Sequence, residues 1–135
     1  MRLLHPKNWA PTKGFSSGVA VEGRQIYVAG QVAWNARQEI VDEDSVAQVE
    51  QALRNIVDIL AEADARPEHL VRLTWYITDK REYIARASEV GQTYRRVVGR
   101  HFPAMTLVQV AALLDDRAKV EIEATAVVPT GAPPL

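Results

Sequence analysis

Hydrophobic and polar positions alternate with a period of two in several stretches, which is typical of β-strands. In residues 70–78 one face carries Val71, Leu73, Trp75 and Ile77, and the other carries Arg72, Thr74 and Tyr76. Residues 105–111 and 118–128 predict two further strands. Residues 17–21 and 25–33 flank Glu22-Gly23, which predicts a β-hairpin with a tight turn.

Two other stretches repeat their apolar positions with the period of a helix. After Asp42–Asp44, one apolar face runs from Val46 to Leu60, and Ser45 and Gln48 have the spacing of a capping box. Asp79, with Glu82 three residues later, predicts the start of a second helix that continues to Val97. Gly99 is placed to end it.

The predicted order is ββαβαββ, an α+β fold with a mixed sheet and both helices packed on one face. At 135 residues the chain is predicted to be a single domain, with loose termini at residues 1–12 and 129–135. The sheet face away from the helices has two open interpretations, a subunit interface or a solvated surface. Its expected members are Tyr27, Gln31, Arg72, Tyr76, Met105, Leu107, Gln109, Glu121 and Glu123.

Composition narrows the classes of function. The chain has 16 basic and 17 acidic residues, a net charge of −1 and no basic stripe, so nucleic acid is not an expected partner. It contains no cysteine, which fits a reducing compartment. We find no signal-peptide pattern and no run of about 20 apolar residues that could span a membrane. The expected location is the cytoplasm.

Few residues have the spacing of a known catalytic or binding motif. His5, His69 and His101 lie far apart and have no second ligand at helical or hairpin spacing, so no metal site is predicted. No nucleotide or cofactor signature is present. Glu121 and Glu123 point the same way along one strand, an arrangement that suits general acid–base chemistry. The alternative is that Arg72, or a basic residue of a neighbouring subunit, neutralises them.

Four segments resemble motifs of the Rid/YjgF family, the reactive-intermediate deaminases also labelled L-PSP endoribonucleases. They read Tyr-Val-Ala-Gly-Gln-Val at residues 27–32, Gln-Ala-Leu-Arg-Asn-Ile at 51–56, Phe-Pro-Ala-Met-Thr-Leu-Val-Gln-Val at 102–110 and Val-Glu-Ile-Glu-Ala at 120–124. The segments follow the family's order, and the resemblance covers nearly the whole chain after Thr12.

The resemblance implies a chorismate-mutase-like subunit in a homotrimer, with small-molecule clefts between adjacent subunits. It therefore favours the interface over the solvated surface for the second sheet face. Characterised members of the family hydrolyse 2-imino or enamine acids to 2-keto acids and ammonia. In them an arginine grips the substrate carboxylate through two hydrogen bonds, and a glutamate positions water.

Carried over to this chain, the resemblance assigns the catalytic glutamate to Glu121. It assigns substrate contacts to Phe15, Ser16, Gly30, Gln31, Gly91, Met105 and Thr106. Three of these depart from the family pattern, because Met105 replaces the arginine, Phe15 a tyrosine and Gly91 an asparagine. Losing the arginine contact costs about 2–5 kcal/mol of binding, and Arg100 and Arg117 are the candidates to replace it.

Two hypotheses follow. The first is a divergent hydrolase of imines or enamines that lack a carboxylate at the usual position, with Glu121 as general base. The second is a trimer that binds a small metabolite, or acts through partners, without catalysis. The neutral charge and the lack of a paired acid and base histidine argue against a ribonuclease.

Overall fold

The structure, a computed structural model, describes residues 1–131. It contains three helices and six strands within that range. In chain order they are β1 Arg2–Leu4, β2 Gly18–Ala20, β3 Gly23–Gln31, α1 Ser45–Glu62, β4 Leu70–Ile77, α2 Lys80–Ala85, α3 Ala87–Val97, β5 Ala104–Gln109 and β6 Val120–Pro129. A 3₁₀ turn, Pro67–His69, leads into β4.

A four-stranded mixed sheet in the order β3-β6-β4-β5 forms the centre of the fold. β6 pairs antiparallel with β3 and β4, whereas β4 and β5 are parallel. Parallel strands need a long crossover, and here α2 and α3 provide it. The predicted α+β class with a mixed sheet is confirmed. Residues 1–131 contain three helices where two were predicted, because the second predicted helix is interrupted at Arg86, whose backbone leaves the helical region.

The core lies between one face of the sheet and the helices. Its fully buried side chains include Leu53, Ile56 and Leu60 of α1, Leu73 of β4 and Ile122 of β6. β4 follows its predicted alternation except at its start, where a register irregularity lies between Leu70 and Arg72. Leu70 is therefore buried and Val71 only partly so.

The predicted hairpin between β2 and β3 is wrong. β2 pairs with β1 in a separate two-stranded sheet, with Leu3 opposite Val19. A two-residue turn of type I′ needs positive φ at both central residues, and Glu22 has no positive φ. Residues 2–4, which were predicted to be part of a loose terminus, form a strand. Pro129, predicted as the first residue of the other loose terminus, is the last residue of β6. Residues 132–135 of the other predicted loose end lie outside the described range.

The start of α1 lies one residue away from its predicted cap. Asp44 is the N-cap, and its carboxylate accepts a hydrogen bond from the Ala47 N–H at 3.0 Å. Gln48 is fully buried and donates to the Asp42 and Arg117 carbonyls, at 2.8 and 3.0 Å, while its Oε1 accepts from the Lys119 N–H at 2.8 Å. Its amide therefore joins α1 to the chain entering β6. The predicted cap at Asp79 is present, since Asp79 accepts from the Glu82 N–H.

Replacing Asp44 with alanine is expected to lower the free energy of unfolding by about 1 kcal/mol, the usual value of an N-cap side chain. The carboxylate also forms an ion pair with Arg86 at 2.5 Å, but a pair this exposed adds little. Urea unfolding of the variant and the native protein measures the difference. A matched substitution at Asp58, on the exposed surface of α1, should change stability by less than about 0.5 kcal/mol.

The difference in the free energy of unfolding between the native protein and the Asp44→Ala variant should depend on pH. The hydrogen bond from Arg86, followed by that from Ala47, lowers the pKa of Asp44 in the folded protein. The contribution is complete above the ordinary carboxyl pKa of about 4 and is lost as the pH falls through the lowered folded value. The two unfolding curves should therefore approach each other below about pH 4.

Candidate functional site

The sheet face away from the helices carries a cluster of polar groups around Glu121. Neighbouring residues in register share a face, so Tyr76 lies beside Glu121, and Thr74 beside Glu123. Tyr27 and Arg72 lie beside Thr125 on the same face. The sequence placed these five predicted members, Tyr27, Arg72, Tyr76, Glu121 and Glu123, correctly.

The other four expected members of this face lie on the helix side, and one of them, Gln31, is buried and in register with the core residue Ile122. β5 is parallel to β4, and Met105, Leu107 and Gln109 are in register with the core residues Leu73, Trp75 and Ile77. Met105 and Leu107 pack against the core, and Gln109 accepts a hydrogen bond from the Lys80 N–H at the start of α2. Alternation alone does not show which of the two alternating sets of side chains in a short strand faces the core. A register shift of one residue exchanges the two faces.

The Glu121 carboxylate lies directly over the backbone of Gly30 in the adjacent strand. A Cβ atom added to Gly30 would overlap the carboxylate, so a glycine is needed at this position for Glu121 to keep its place. Gly30 sits in the register irregularity between Val28 and Gln31. The glycine and the glutamate, which the sequence assigned to one site, are thus in direct contact.

No ion pair involves Glu121 or Glu123 within residues 1–131. Arg72, expected as a neutralising partner, forms none with them. The Tyr76 hydroxyl donates to Glu123 at 2.8 Å, and this hydrogen bond raises the pKa of Tyr76. Glu123 therefore accepts the Tyr76 hydrogen bond, and Glu121 is the carboxylate of the two that has no such partner within residues 1–131. Such a group is available to accept a proton from water.

A cleft of about 630 Å³ opens on the helix side, between α3, β5 and the segment before β2. Two predicted site residues, Gly91 and Met105, line it together with Gly14, the neighbour of Phe15. Phe15 itself is 41% exposed. Two of the three positions that depart from the family pattern therefore line this cleft, and the third, Phe15, directly follows a lining residue in sequence.

Aromatic side chains form one wall of the cleft. Tyr94 and Phe102 stack with ring centroids 5.6 Å apart, and the Tyr94 hydroxyl donates to the His101 carbonyl at 2.6 Å. Burial raises the pKa of Tyr94, which keeps this hydroxyl protonated. Trp75, 2% exposed, lines the same cleft, and its indole N–H has no acceptor among the described residues. Unpaired buried donors are rare in folded proteins.

Three basic side chains line the cleft. Arg100, one of the two residues expected to replace the missing arginine, lines it together with Met105. The other, Arg117, is paired with Glu43 at 2.7 Å and lines a different pocket. The sequence interpretation missed Lys13 and Arg95, which also line the cleft. The spacing of Gly91 and Arg95, four residues apart on α3, was the available signal.

The remaining predicted site residues lie elsewhere. The Ser16 hydroxyl donates to the Phe102 carbonyl at 2.5 Å, and Gln31 is buried with its amide bonded to Ala29 and Trp34. Thr106 is exposed and in register with Thr74, on the face that carries Glu121. One chain therefore holds two separate groups, Gly30, Thr106 and Glu121 on the outer face, and Gly91 and Met105 in the cleft.

The described residues contain no cluster of three or more His, Cys, Asp or Glu side chains that could hold a metal ion. No helix within residues 1–131 combines the length and hydropathy that a membrane span requires.

Comparison with known proteins identifies the family. Residues 6–128 match the family model described as Endoribonuclease L-PSP. 2-Iminobutanoate/2-iminopropanoate deaminase of Escherichia coli K12 is 33% identical over 108 residues, which is 78% of this chain and 80% of that protein. A crystal structure of YyfB from Yersinia pestis, a Rid-family protein described as of unknown function, superimposes with a TM-score of 0.84 at 35% identity, covering 94% of this chain and 98% of that one.

The chain belongs to the Rid/YjgF family. A further relative, Protein DfrA of Myxococcus xanthus, is 37% identical over 119 residues, 84% of each chain. The structure of E. coli TdcF with bound serine covers 95% of this chain and 99% of its own at 26% identity, with a TM-score of 0.68. The Rid resemblance drawn from the four sequence motifs is confirmed.

Proposed function

We propose that this Rid-family protein is a homotrimer that binds a small metabolite between subunits and hydrolyses an imine or enamine, with Glu121 as the general base. The observation that carries the proposal is the Glu121 carboxylate, which is held against Gly30 and has no ion-pair partner in the described part of the chain. The E. coli relative that is 33% identical is named as an imino-acid deaminase.

The separation of the two groups of site residues supports an assembly. Glu121 and Thr106 lie on one sheet face, whereas Met105 lies on the other. A second copy placed against the outer face would bring its own cleft residues toward Glu121. Tyr27, 73% exposed, and Val108, 41% exposed, give this face apolar surface that an interface would bury.

The chemistry needs one proton acceptor and one donor. Glu121 takes a proton from water as the water oxygen attacks the imine carbon, and the C=N π electrons move to nitrogen. Glu121 passes this proton to the nitrogen, which gives a neutral carbinolamine, and then moves the hydroxyl proton to the same nitrogen. The C–N bond breaks, ammonia leaves, and the oxygen electrons form the C=O bond of the carbonyl product. Thr106 is the freer hydroxyl donor for the developing charge, because Ser16 already donates to the Phe102 carbonyl.

A second candidate function is a trimer that binds a metabolite without hydrolysing it. The observation that favours it is Met105, an apolar side chain where the family's deaminases carry a carboxylate-binding arginine. Under this alternative Glu121 is a ligand contact and has no role in proton transfer.

Imine hydrolysis tests the proposal directly. Imines are generated in situ by an amino-acid oxidase from amino acids with small and aromatic side chains, and their disappearance is followed in the presence of the protein. Glu121→Gln is expected to lower turnover by about 100-fold, the usual contribution of a general base. The matched control is Glu123→Gln, which removes the negative charge of the group that accepts the Tyr76 hydrogen bond and should retain most of the turnover.

Each outcome assigns one of the two functions. Native turnover that depends on Glu121 supports the hydrolase. Turnover that is unchanged in Glu121→Gln contradicts the role given to this carboxylate. No turnover of any imine by the native protein, with activity gained in Met105→Arg, supports the non-enzymatic alternative. The mass of the native protein by light scattering checks the trimer separately.

A further inference from the structure

The Arg95 guanidinium lies beside Gly91 in the cleft. A Cβ atom at Gly91 would lie 3.3 Å from Nη1 of Arg95, which is closer than an ordinary contact. The absence of a side chain at Gly91 therefore leaves room for the Arg95 guanidinium close to Gly91 in the cleft lining. The cleft thus contains an arginine from a helix, while the nearby strand position holds Met105.

The three basic residues at the cleft have no acidic partner in the described part of the chain. No ion pair formed within residues 1–131 involves Lys13, Arg95 or Arg100, whereas Arg96, the next residue on α3, is paired with Glu50 of α1. Unpaired like charges repel one another, and a concave surface concentrates their field. An anion that enters the cleft would relieve the repulsion and accept hydrogen bonds from a planar guanidinium.

The rest of the cleft wall is aromatic and apolar. Tyr94 and Phe102 present a stacked pair, and Met105 adds a flexible apolar side chain beside them. Such surfaces bind flat or bulky apolar groups better than small polar ones. The cleft volume of about 630 Å³ is within the range of sites that hold molecules of drug size.

We propose that Arg95 is the anion-binding residue of this protein, and that its ligand is an organic carboxylate with an aromatic or similarly bulky apolar body. The carboxylate lies against Arg95, with Lys13 and Arg100 supplying further positive charge, and the apolar body packs on Tyr94, Phe102 and Met105. The inference rests on the cleft of the proposed function, but it concerns binding and does not require turnover. Under the proposed function, the imine substrate would then carry a carboxylate that is bound by Arg95 of helix α3 and not by a residue of strand β5.

Three probes separate the charge from the apolar body, each titrated calorimetrically into the native protein. They are phenylpyruvate, which has both parts, pyruvate, which lacks the aromatic group, and phenylacetone, which lacks the carboxylate. Phenylpyruvate is expected to bind at least about 10-fold more tightly than either of the others. Its affinity should fall as salt is added, because the contact is ionic.

Arg95→Gln is expected to weaken phenylpyruvate binding by about 10- to 100-fold, the value of a charge-assisted hydrogen bond. Arg96→Gln is the matched control on the same helix turn and should leave the affinity unchanged. The double variant Arg95→Gln/Met105→Arg returns an arginine to the cleft from the strand and should recover most of the lost affinity.

The inference is overturned if Arg95→Gln binds phenylpyruvate as the native protein does, or if phenylacetone binds equally well. If phenylpyruvate binding depends on Arg95 but the native protein hydrolyses no imine, only the hydrolase proposal is contradicted. If imine turnover depends on Glu121 but is unchanged in Arg95→Gln, only the assignment of Arg95 is contradicted.

Discussion

Replacing Gln48 with leucine is expected to lower the free energy of unfolding by about 2–4 kcal/mol. The Gln48 side chain is fully buried and forms three hydrogen bonds to backbone groups of Asp42, Arg117 and Lys119. Leucine keeps most of the volume but leaves these groups without their partner, and each unpaired buried group costs about 1–3 kcal/mol. Part of the loss is offset where Asp42, in an exposed loop, bonds to water.

Urea unfolding followed by far-UV circular dichroism measures this loss. Gln51→Leu is the control, because Gln51 is only half-buried and bonds to one side chain, Asn55. Its effect should stay below about 1 kcal/mol. If Gln48→Leu also changes stability by less than about 1 kcal/mol, the buried amide is not the link between α1 and β6 that the structure indicates.

Replacing Gly30 with alanine should reduce imine turnover by about 100-fold, as much as removing the Glu121 carboxylate itself. The added methyl group would occupy the position of the carboxylate, so the Glu121 side chain must rotate away. Gly30 does not have a positive φ, so the backbone accepts alanine. The displaced group is the end of a flexible, half-exposed side chain, and the free energy of unfolding should therefore change by less than about 1 kcal/mol.

A double-mutant cycle identifies the cause. If Gly30→Ala acts by moving the carboxylate, adding it to Glu121→Gln produces little further loss of turnover. Losses that multiply would mean that Gly30 contributes to turnover independently of Glu121. Gly18→Ala, in strand β2 and close only to Leu4, is a control for the general effect of alanine in a strand.

The sequence predicted which residues form strands better than it predicted which strands pair with each other. Alternation over β4 and β6 identified Leu73, Trp75 and Ile122 as core residues, because a period of two is a direct consequence of the pleated backbone. The pairing of β2 with β1, and the inward side of β5, depend on contacts between distant segments. A three-residue strand such as Arg2–Leu4 has too few positions for a period to be visible.

The candidate site was predicted in parts. The motifs assigned Glu121 and Gly30 to one site, and in the structure the Glu121 carboxylate lies over the backbone of Gly30. They also led to the expectation that Arg100 or Arg117 replaces the missing arginine. Arg95 was overlooked because a charged residue on an exposed helix turn resembles ordinary surface, and only the missing side chain at Gly91 reveals the direction of its guanidinium.

The parallel pairing of β4 and β5 has a consequence for how proteins of this architecture diverge. Because α3 lies in the crossover between those strands, Gly91, Arg95, Arg100 and Met105 fall in one uninterrupted piece of chain. Glu121 and Gly30 come from β6 and β3, outside that piece. Under the proposed function, substitutions confined to this one piece of chain would change the ligand preference and leave the strands that hold the proposed base, Glu121, unaltered.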